Sequence, residues 1–183
     1  MSGLTRQIIS QIAYRLGFAK SNDALVVARD ALLASAAVSE QDKALLSRVS
    51  LELHRHDDMY VPGHAEHYLA TGLSALGTIN EALQASGRSL PVSRILDFGC
   101  GYGRVLRMLK AQFGEADVVA AELKSAALAY CESEFSVQTV QTSADFRQTE
   151  KAGPFDLIWC SSLIPHIDET AATDLLRYFC DNL

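Results

Sequence analysis

The chain has 183 residues, of which 49% are hydrophobic and 21% charged, and its formal net charge is −6. This composition is that of a folded globular protein and excludes disordered and fibrous classes. The 16 lysine and arginine residues are scattered along an acidic chain, which disfavours nucleic acid as a partner.

Two features of the sequence predict a cytoplasmic protein. Residues 1–10 lack the basic segment and apolar run of a secretory signal, and no stretch approaches the ~20 apolar residues of a membrane span. The cysteines are singly placed, without a CxxC pair, and we predict reduced thiols, most of them buried. They are Cys100, Cys131, Cys160 and Cys180.

Apolar residues recur at helical spacing over the first 53 residues and predict three short helices. Ser21 and Ser39 are predicted N-caps, the latter with Asp42 at capping-box spacing, and Gly17 is a predicted stop. A further helical run is predicted over residues 64–83. We therefore assign residues 1–85 to a helical N-terminal segment. The periodic positions of the first three helices are Ile8, Ile12, Leu16, Leu25, Leu32, Leu33, Leu45, Val49 and Leu53.

A polar stretch, residues 54–63, interrupts these helices and is interpreted as a linker or hinge. Four of the five histidines lie in or just after it, which raises the hypothesis of a metal site. The HxH pair favours a strand whereas His64 and His67 favour a helix, so the spacing suits zinc only loosely. We prefer the linker and predict no bound metal. The residues concerned are His54, His56, His64 and His67, with Asp57 and Asp58.

From about residue 92 the pattern changes to short apolar runs that alternate with amphipathic helices. This alternation is typical of βαβ units and predicts an α/β fold with a parallel sheet. Strands are predicted at 94–98, 117–121, 137–142 and 155–160, and helices near 104–113, 125–135 and 169–182. Residues 92–183 therefore form the predicted α/β domain.

The first predicted strand runs into three alternate glycines, Gly99, Gly101 and Gly103. Glycine lets the backbone turn tightly and approach a ligand closely, and free N–H groups at the start of the next helix favour a polar or anionic ligand group. Asp97 is a candidate acceptor for the ligand's positive or hydrogen-bonding groups. Dinucleotide sites need a small residue where this chain has Arg104, which disfavours a nucleotide-linked oxidoreductase or epimerase.

The GxGxG turn preceded by Asp97 resembles the glycine motif of class I, Rossmann-like S-adenosylmethionine-dependent methyltransferases. The resemblance continues, in chain order, with an acidic residue ending the second strand, an Asp-Phe pair after the third, and the "FDLI" of residues 155–158 in the fourth. It implies S-adenosyl-L-methionine as cofactor and a set of contacts to it. These come from Asp97, Gly99, Cys100, Gly101, Gly103, Glu122, Leu123, Ala144, Asp145, Phe146 and Ser161.

The resemblance also implies roles for some of these residues. Glu122 would accept hydrogen bonds from both ribose hydroxyls, and the alternative is a solvated residue at a strand end. Asp145 would lie near the adenine amine, with Phe146 and Leu123 as apolar walls, although Asp is also an ordinary turn residue.

The sequence indicates fewer residues for contact with the methyl acceptor than for contact with the cofactor. His166, just after the fourth strand, is a candidate general base, and the alternative is a loop or capping histidine. Tyr60, His64 and Tyr68 are candidates to touch the methionine end of the cofactor or the acceptor. We expect an enzyme that methylates a small molecule or an acceptor that the sequence does not determine. The alternative is a cofactor-binding or structural module without turnover, part of a larger assembly.

The resemblance implies a sheet of order 3-2-1-4-5-7-6, and the sequence ends in the helix after the fourth strand. Residues 155–160 carry none of the Lys, Pro or bulge signals of natural edge strands. We therefore expect a fragment of a longer methyltransferase, or a second chain that covers this edge. Light scattering of the purified chain would then show self-association or exposed apolar surface, and methyl transfer would be weak or absent.

Overall fold

The computed structural model describes residues 21–87 and 91–183. The first predicted helix, with its stop at Gly17, lies outside the described residues. The helical N-terminal segment forms α1 (Ser21–Ala34), α2 (Glu40–Leu46) and α3 (Ala65–Ala85). The predicted capping box is confirmed, because the Asp42 backbone N donates to Ser39 Oγ at 3.1 Å and Ser39 Oγ donates to the Asp42 carboxylate at 2.7 Å.

The second half is the predicted α/β unit, a four-stranded parallel sheet of order β3-β2-β1-β4. It is the sheet expected of a Rossmann-like fold. Its elements are β1 (Arg94–Phe98), α4 (Leu106–Gln112), β2 (Asp117–Glu122), α5 (Ser125–Phe135), β3 (Gln138–Gln141), β4 (Leu157–Cys160) and α6 (Glu169–Cys180), with 3₁₀ turns at Phe146–Gln148 and Ile164–His166.

Several element boundaries differ from the prediction by one or a few residues, and two of them have clear local reasons. Helix α4 begins at Leu106 rather than near residue 104, because the left-handed glycines prolong the turn before it. Strand β4 begins at Leu157 rather than at residue 155, where the backbone N of Phe155 donates to the carbonyl of Asn182 at 2.7 Å instead of to a neighbouring strand.

The two faces of the sheet pack against different helices, because side chains alternate along each strand. Ile95 on β1 lies in a cluster with residues of α1 to α5, whereas Leu96 and Phe98 lie in a second cluster with residues of α6. The N-terminal helices and one face of the sheet therefore share a hydrophobic core. By the same alternation Asp97 faces the N-terminal helices.

Strand β4 lies at one edge of the sheet, paired with β1 and with no second strand among the described residues. Its four residues are half-buried. That another segment or a second copy covers this edge stays a prediction.

The cysteines and the helices bear on the predicted location. All four cysteines are free; Cys100 and Cys131 are buried, Cys160 is half-buried and Cys180 is exposed, so the prediction that most are buried is right for two of them. None of the helices in the described part of the chain has the length and apolar character needed to cross a membrane.

Candidate functional site

The turn between β1 and α4 is held open by its glycines. Gly99, Gly101 and Gly103 have φ values of +76°, +54° and +84°, which side chains disfavour. A Cβ on Gly99 or Gly101 would meet no atom within 4 Å, whereas a Cβ on Gly103 would overlap the ring of Phe135. The first two glycines thus leave a surface that a ligand can approach, and the third lets α5 pack closely.

The backbone donors of this turn are largely engaged within the protein. Gly99 N and Cys100 N donate to the carbonyl of Ala121 at 2.8 and 3.2 Å, and Gly101 N donates to the Glu122 carboxylate at 3.0 Å. These three positions precede the helix, so the expectation of free N–H groups at the helix start stays a prediction. At these positions the turn offers close approach to a ligand rather than free backbone donors.

Glu122, at the end of β2, is fixed against the turn. Its Oε2 accepts from Gly101 N, and its Oε1 accepts from the backbone N of Leu123 at 2.8 Å and of Lys124 at 3.1 Å. This is a positioned carboxylate rather than a solvated strand end. Oε2 keeps a lone pair for a further donor, since each carboxylate oxygen accepts two hydrogen bonds. Beside it, the Leu123 side chain is 56% exposed, as an apolar wall for a ligand requires.

Asp97, at the end of β1, is a buried carboxyl with an unmatched oxygen. It is 2% exposed, and its Oδ2 has no hydrogen-bond partner within the described residues. Burial, together with the charge of Glu122, raises the pKa of Asp97 to about 7. Because an unpaired buried polar atom is costly, this oxygen suits a ligand that donates to it.

The side chain of Cys100 turns away from the ligand surface. Its Sγ and that of Cys131 both lie 3.5 Å from the carbonyl oxygen of Gly101. Hydrogen bonding to Cys131 and burial hold the pKa of Cys100 far above its usual range, so it remains a thiol. The predicted contribution of Cys100 to the site is thus limited to its backbone.

The side chains of the residues that follow β3 take part in local hydrogen bonds and in core packing. Ala144 is exposed, and the Asp145 carboxylate accepts from Arg147 at 2.8 and 2.9 Å and caps the following 3₁₀ turn. Hydrogen bonds from Arg147 lower the pKa of Asp145. Phe146 is buried against Phe98 in the second cluster, with ring centroids 6.0 Å apart. The turn alternative therefore describes Asp145, and Phe146 is a core residue; their adenine-binding roles stay predictions.

The segment after β4 and the glycine turn after β1 both follow the carboxyl ends of neighbouring parallel strands. Ser161 follows the strand, and Ser162 has a φ of +61°. His166 ends the 3₁₀ turn Ile164–His166 and is exposed. It is accessible to an acceptor, and its role as a general base stays a prediction.

The polar stretch before α3 is held against this site and is not a free hinge. Asp57 is buried and accepts from Tyr68 Oη at 2.7 Å, and Lys124 Nζ lies 2.8 Å from Asp58 Oδ2. Tyr60 and Tyr68 are 8% and 1% exposed. Their suggested contact with the cofactor or acceptor, like that of His64, stays a prediction.

The sequence analysis predicted no contact with the turn for three side chains that lie around it, those of His54, Tyr102 and Arg107. His54 stacks on Tyr102 with ring centroids 4.5 Å apart and an interplanar angle of 5°. Arg107, 1% exposed, donates to the carbonyls of Gly103, Ser50 and Glu52 at 3.1, 2.8 and 3.0 Å. Local spacing does not indicate these contacts, because the partners lie far apart in the chain. His54 contacts Tyr102, and Arg107 contacts the carbonyls of Ser50 and Glu52.

The histidines do not assemble a metal site in the part of the chain that the structure describes. No group of three His, Cys, Asp or Glu side chains there could hold a metal ion. His64 and His67 are exposed, and burial together with the neighbouring His56 and Arg55 lowers the pKa of His54. That the chain binds no metal stays a prediction.

Comparisons with known proteins point to one family. Residues 95–183 match the family described as "Methyltransferase domain". A ubiquinone biosynthesis O-methyltransferase from Xanthomonas campestris pv. campestris (strain B100) is 30% identical over 103 residues, which cover 55% of this chain and 43% of that protein. The protein of the same name from Bordetella avium (strain 197N) is 32% identical over 93 residues, 49% of this chain and 38% of that protein. The chain thus spans less than half the length of these relatives.

The fold is also similar to solved structures. CalS10, described as an amino pentose methyltransferase of calicheamicin biosynthesis from Micromonospora echinaspora with bound S-adenosylmethionine, is 20% identical. The match covers 70% of this chain and 55% of that one, with a TM-score of 0.50. At this identity the similarity concerns the fold.

Proposed function

We propose that residues 95–183, which match the family described as "Methyltransferase domain", form a class I, Rossmann-like methyltransferase domain, and that the protein binds S-adenosyl-L-methionine and transfers its methyl group to a small-molecule acceptor. The glycine turn, with the carboxylates of Asp97 and Glu122 on either side of it, carries the proposal. The relatives' description as O-methyltransferases of ubiquinone biosynthesis supports a small acceptor.

The residues present fit this cofactor. The open space at the Cβ positions of Gly99 and Gly101 admits a ligand to the backbone. Glu122, fixed by three backbone donors, keeps capacity for a ribose hydroxyl. Asp97 Oδ2 is a buried acceptor for the cofactor's ammonium.

When bound, the cofactor supplies an electrophilic methyl group on a positively charged sulfur. The chain's own residues bind and orient it. Glu122 would hold the ribose and Asp97 the amino-acid end, so that these two residues would orient the cofactor relative to the acceptor. On the acceptor side, exposed His166 would remove a proton from a hydroxyl acceptor.

We place the protein in the cytoplasm as part of the proposal. Its four cysteines are free thiols, the state that a reducing compartment maintains.

Titration calorimetry tests the proposal on the purified chain. S-adenosylmethionine and S-adenosylhomocysteine should bind, and NAD should not, because Arg104 replaces the small residue of dinucleotide sites. Binding of NAD without binding of S-adenosylhomocysteine would contradict the assignment. Methyl transfer from isotope-labelled S-adenosylmethionine to a small hydroxyl compound then separates an enzyme from a module without turnover.

The buried carboxyl of Asp97 predicts that binding depends on pH. Its folded-state pKa of about 7 lies above the ordinary 3.8, so ionisation opposes folding, and the stability from this group is lost as pH rises from 3.8 to about 7. An ammonium beside Asp97 favours the ionised form. The Kd for S-adenosylhomocysteine should therefore rise about tenfold from pH 8 to pH 6.

Calorimetry at both pH values checks this prediction, and Asp97→Asn supplies the control. The variant should bind more weakly at pH 8, show no slope between pH 6 and pH 8, and unfold at a higher temperature than the parent at pH 8 if the fold is unchanged. A slope of equal size in the variant would assign the pH dependence to another group.

A further inference from the structure

Two buried polar atoms without partners lie on neighbouring strands. Asp97 Oδ2 on β1 and Trp159 Nε1 on β4 have no hydrogen-bond partner among the residues described. Asp97 and Trp159 are also direct partners in the β1–β4 register. Direct partners in a sheet point to the same face, so the two side chains that carry this acceptor and this donor start from neighbouring positions on one face of the sheet.

The order of the strands indicates which part of the cofactor would reach them. Under the proposed function, the ribose lies at Glu122, at the end of β2, and the adenine lies towards β3. Because the sheet order is β3-β2-β1-β4, the rest of the cofactor extends across β1 towards β4. That end is an amino acid, which carries one donor group, an ammonium, and one acceptor group, a carboxylate.

Two cations near the turn, Arg107 and Lys124, already contact other groups of the protein, although Nη2 of Arg107 is a third buried polar atom without a partner among the described residues. Arg104, next to Gly103, is half-buried. Arg107 donates to the carbonyls of Gly103, Ser50 and Glu52, and Lys124 pairs with Asp58. An indole N–H donates and cannot accept. It therefore matches the carboxylate, as the oxygen of Asp97 matches the ammonium.

Packing alone accounts for the indole ring but leaves its N–H unexplained. The ring of Trp159 is half-buried against the cluster that the sheet shares with the N-terminal helices. A phenylalanine would supply similar apolar contact without a buried donor that needs a partner.

We propose that Trp159 Nε1 donates a hydrogen bond to the carboxylate of the cofactor's amino-acid end, so that Trp159 is a binding residue as well as a core residue. This inference rests on the proposed function. It assigns to β4 a role in selecting ligands that carry the amino-acid group.

The test compares two ligands on Trp159→Phe, which keeps a ring and removes the donor. S-adenosylhomocysteine has the amino-acid end, and 5′-methylthioadenosine lacks it. We expect the Kd for S-adenosylhomocysteine to rise about tenfold, the loss of one charge-assisted hydrogen bond, and the Kd for 5′-methylthioadenosine to stay within about twofold. Equal weakening of both ligands, or an unchanged Kd for S-adenosylhomocysteine, would overturn the inference.

Tyr178→Phe is the matched control, because it also removes one donor from a buried aromatic ring, on the opposite face of the sheet. Its hydroxyl donates to the carbonyl of Glu150 at 3.0 Å. Neither ligand should bind this variant differently from the parent.

Fluorescence of the parent gives a second readout that needs no variant. Trp159 is the single tryptophan of the chain, so its emission should shift on saturation with S-adenosylhomocysteine and change less with 5′-methylthioadenosine. Emission that responds identically to both ligands would overturn the inference. A parent chain that binds neither ligand would overturn the proposed function itself, whereas binding of both with an unaffected Trp159→Phe overturns only the role of Trp159.

Discussion

Gly101→Val should abolish detectable binding of S-adenosylhomocysteine while the chain remains folded. A Cβ at this position meets no protein atom within 4 Å, so the added side chain projects into the space through which a ligand reaches the backbone. The left-handed φ of +54° adds a conformational cost of about 1 to 2 kcal/mol to folding. We expect calorimetry to show a Kd raised more than about 100-fold, equivalent to about 2.7 kcal/mol.

Gly87→Val separates the loss of the ligand space from the conformational cost. Gly87 has a φ of +63° and likewise nothing within 4 Å of its Cβ position. It follows the far end of α3, a helix about 30 Å long. This variant should lose similar stability and bind like the parent. If Gly87→Val lost binding as well, or Gly101→Val kept it, the turn would not be the binding surface.

Glu122→Ala should weaken binding of S-adenosylhomocysteine by about 1.5 to 3 kcal/mol, roughly 10- to 150-fold in Kd. The substitution removes the hydrogen bonds to the ribose and also the acceptor that fixes Gly101 N at 3.0 Å. The turn is then less ordered before the ligand arrives. Calorimetry at constant pH measures the change, and circular dichroism verifies the fold.

Asp117→Ala provides the comparison on the same strand. Asp117 lies at the opposite end of β2 and pairs with Arg94 at 3.0 Å on the surface. Its removal should leave ligand binding unchanged. An Asp117→Ala variant as weak as Glu122→Ala would mean that general loosening of β2, rather than the lost carboxylate, causes the effect.

The structure shows which groups accept hydrogen bonds from the backbone of the glycine turn. Sequence reasoning assigned the glycines to a tight turn and to close approach of a ligand, and predicted no partners for their own N–H groups. Open space is present at Gly99 and Gly101, and their N–H groups bond to Ala121 and Glu122. The carboxylate of Glu122 therefore organises the turn in addition to its proposed contact with the ribose, so its substitution should affect both the order of the turn and ligand binding.

The sequence by itself determined the elements and their order. Strand β1, helix α5 and the capping box at Ser39 lie where the pattern predicts them, because apolar periodicity, glycine and capping residues act over a few neighbouring positions. These patterns give the order of the elements along the chain. The order of the strands within the sheet and the identity of the cofactor were predicted from the resemblance of the glycine turn and Glu122 to a known family.

Only the tertiary structure decided which polar groups meet. Phe146 enters the core beside Phe98, and Arg107 is buried against carbonyls of the N-terminal segment. The side-by-side placement of Asp97 and Trp159 follows from the β1–β4 register. These contacts join residues whose separation along the chain carries no periodic signal, and their geometry is set by strand register and by helix packing.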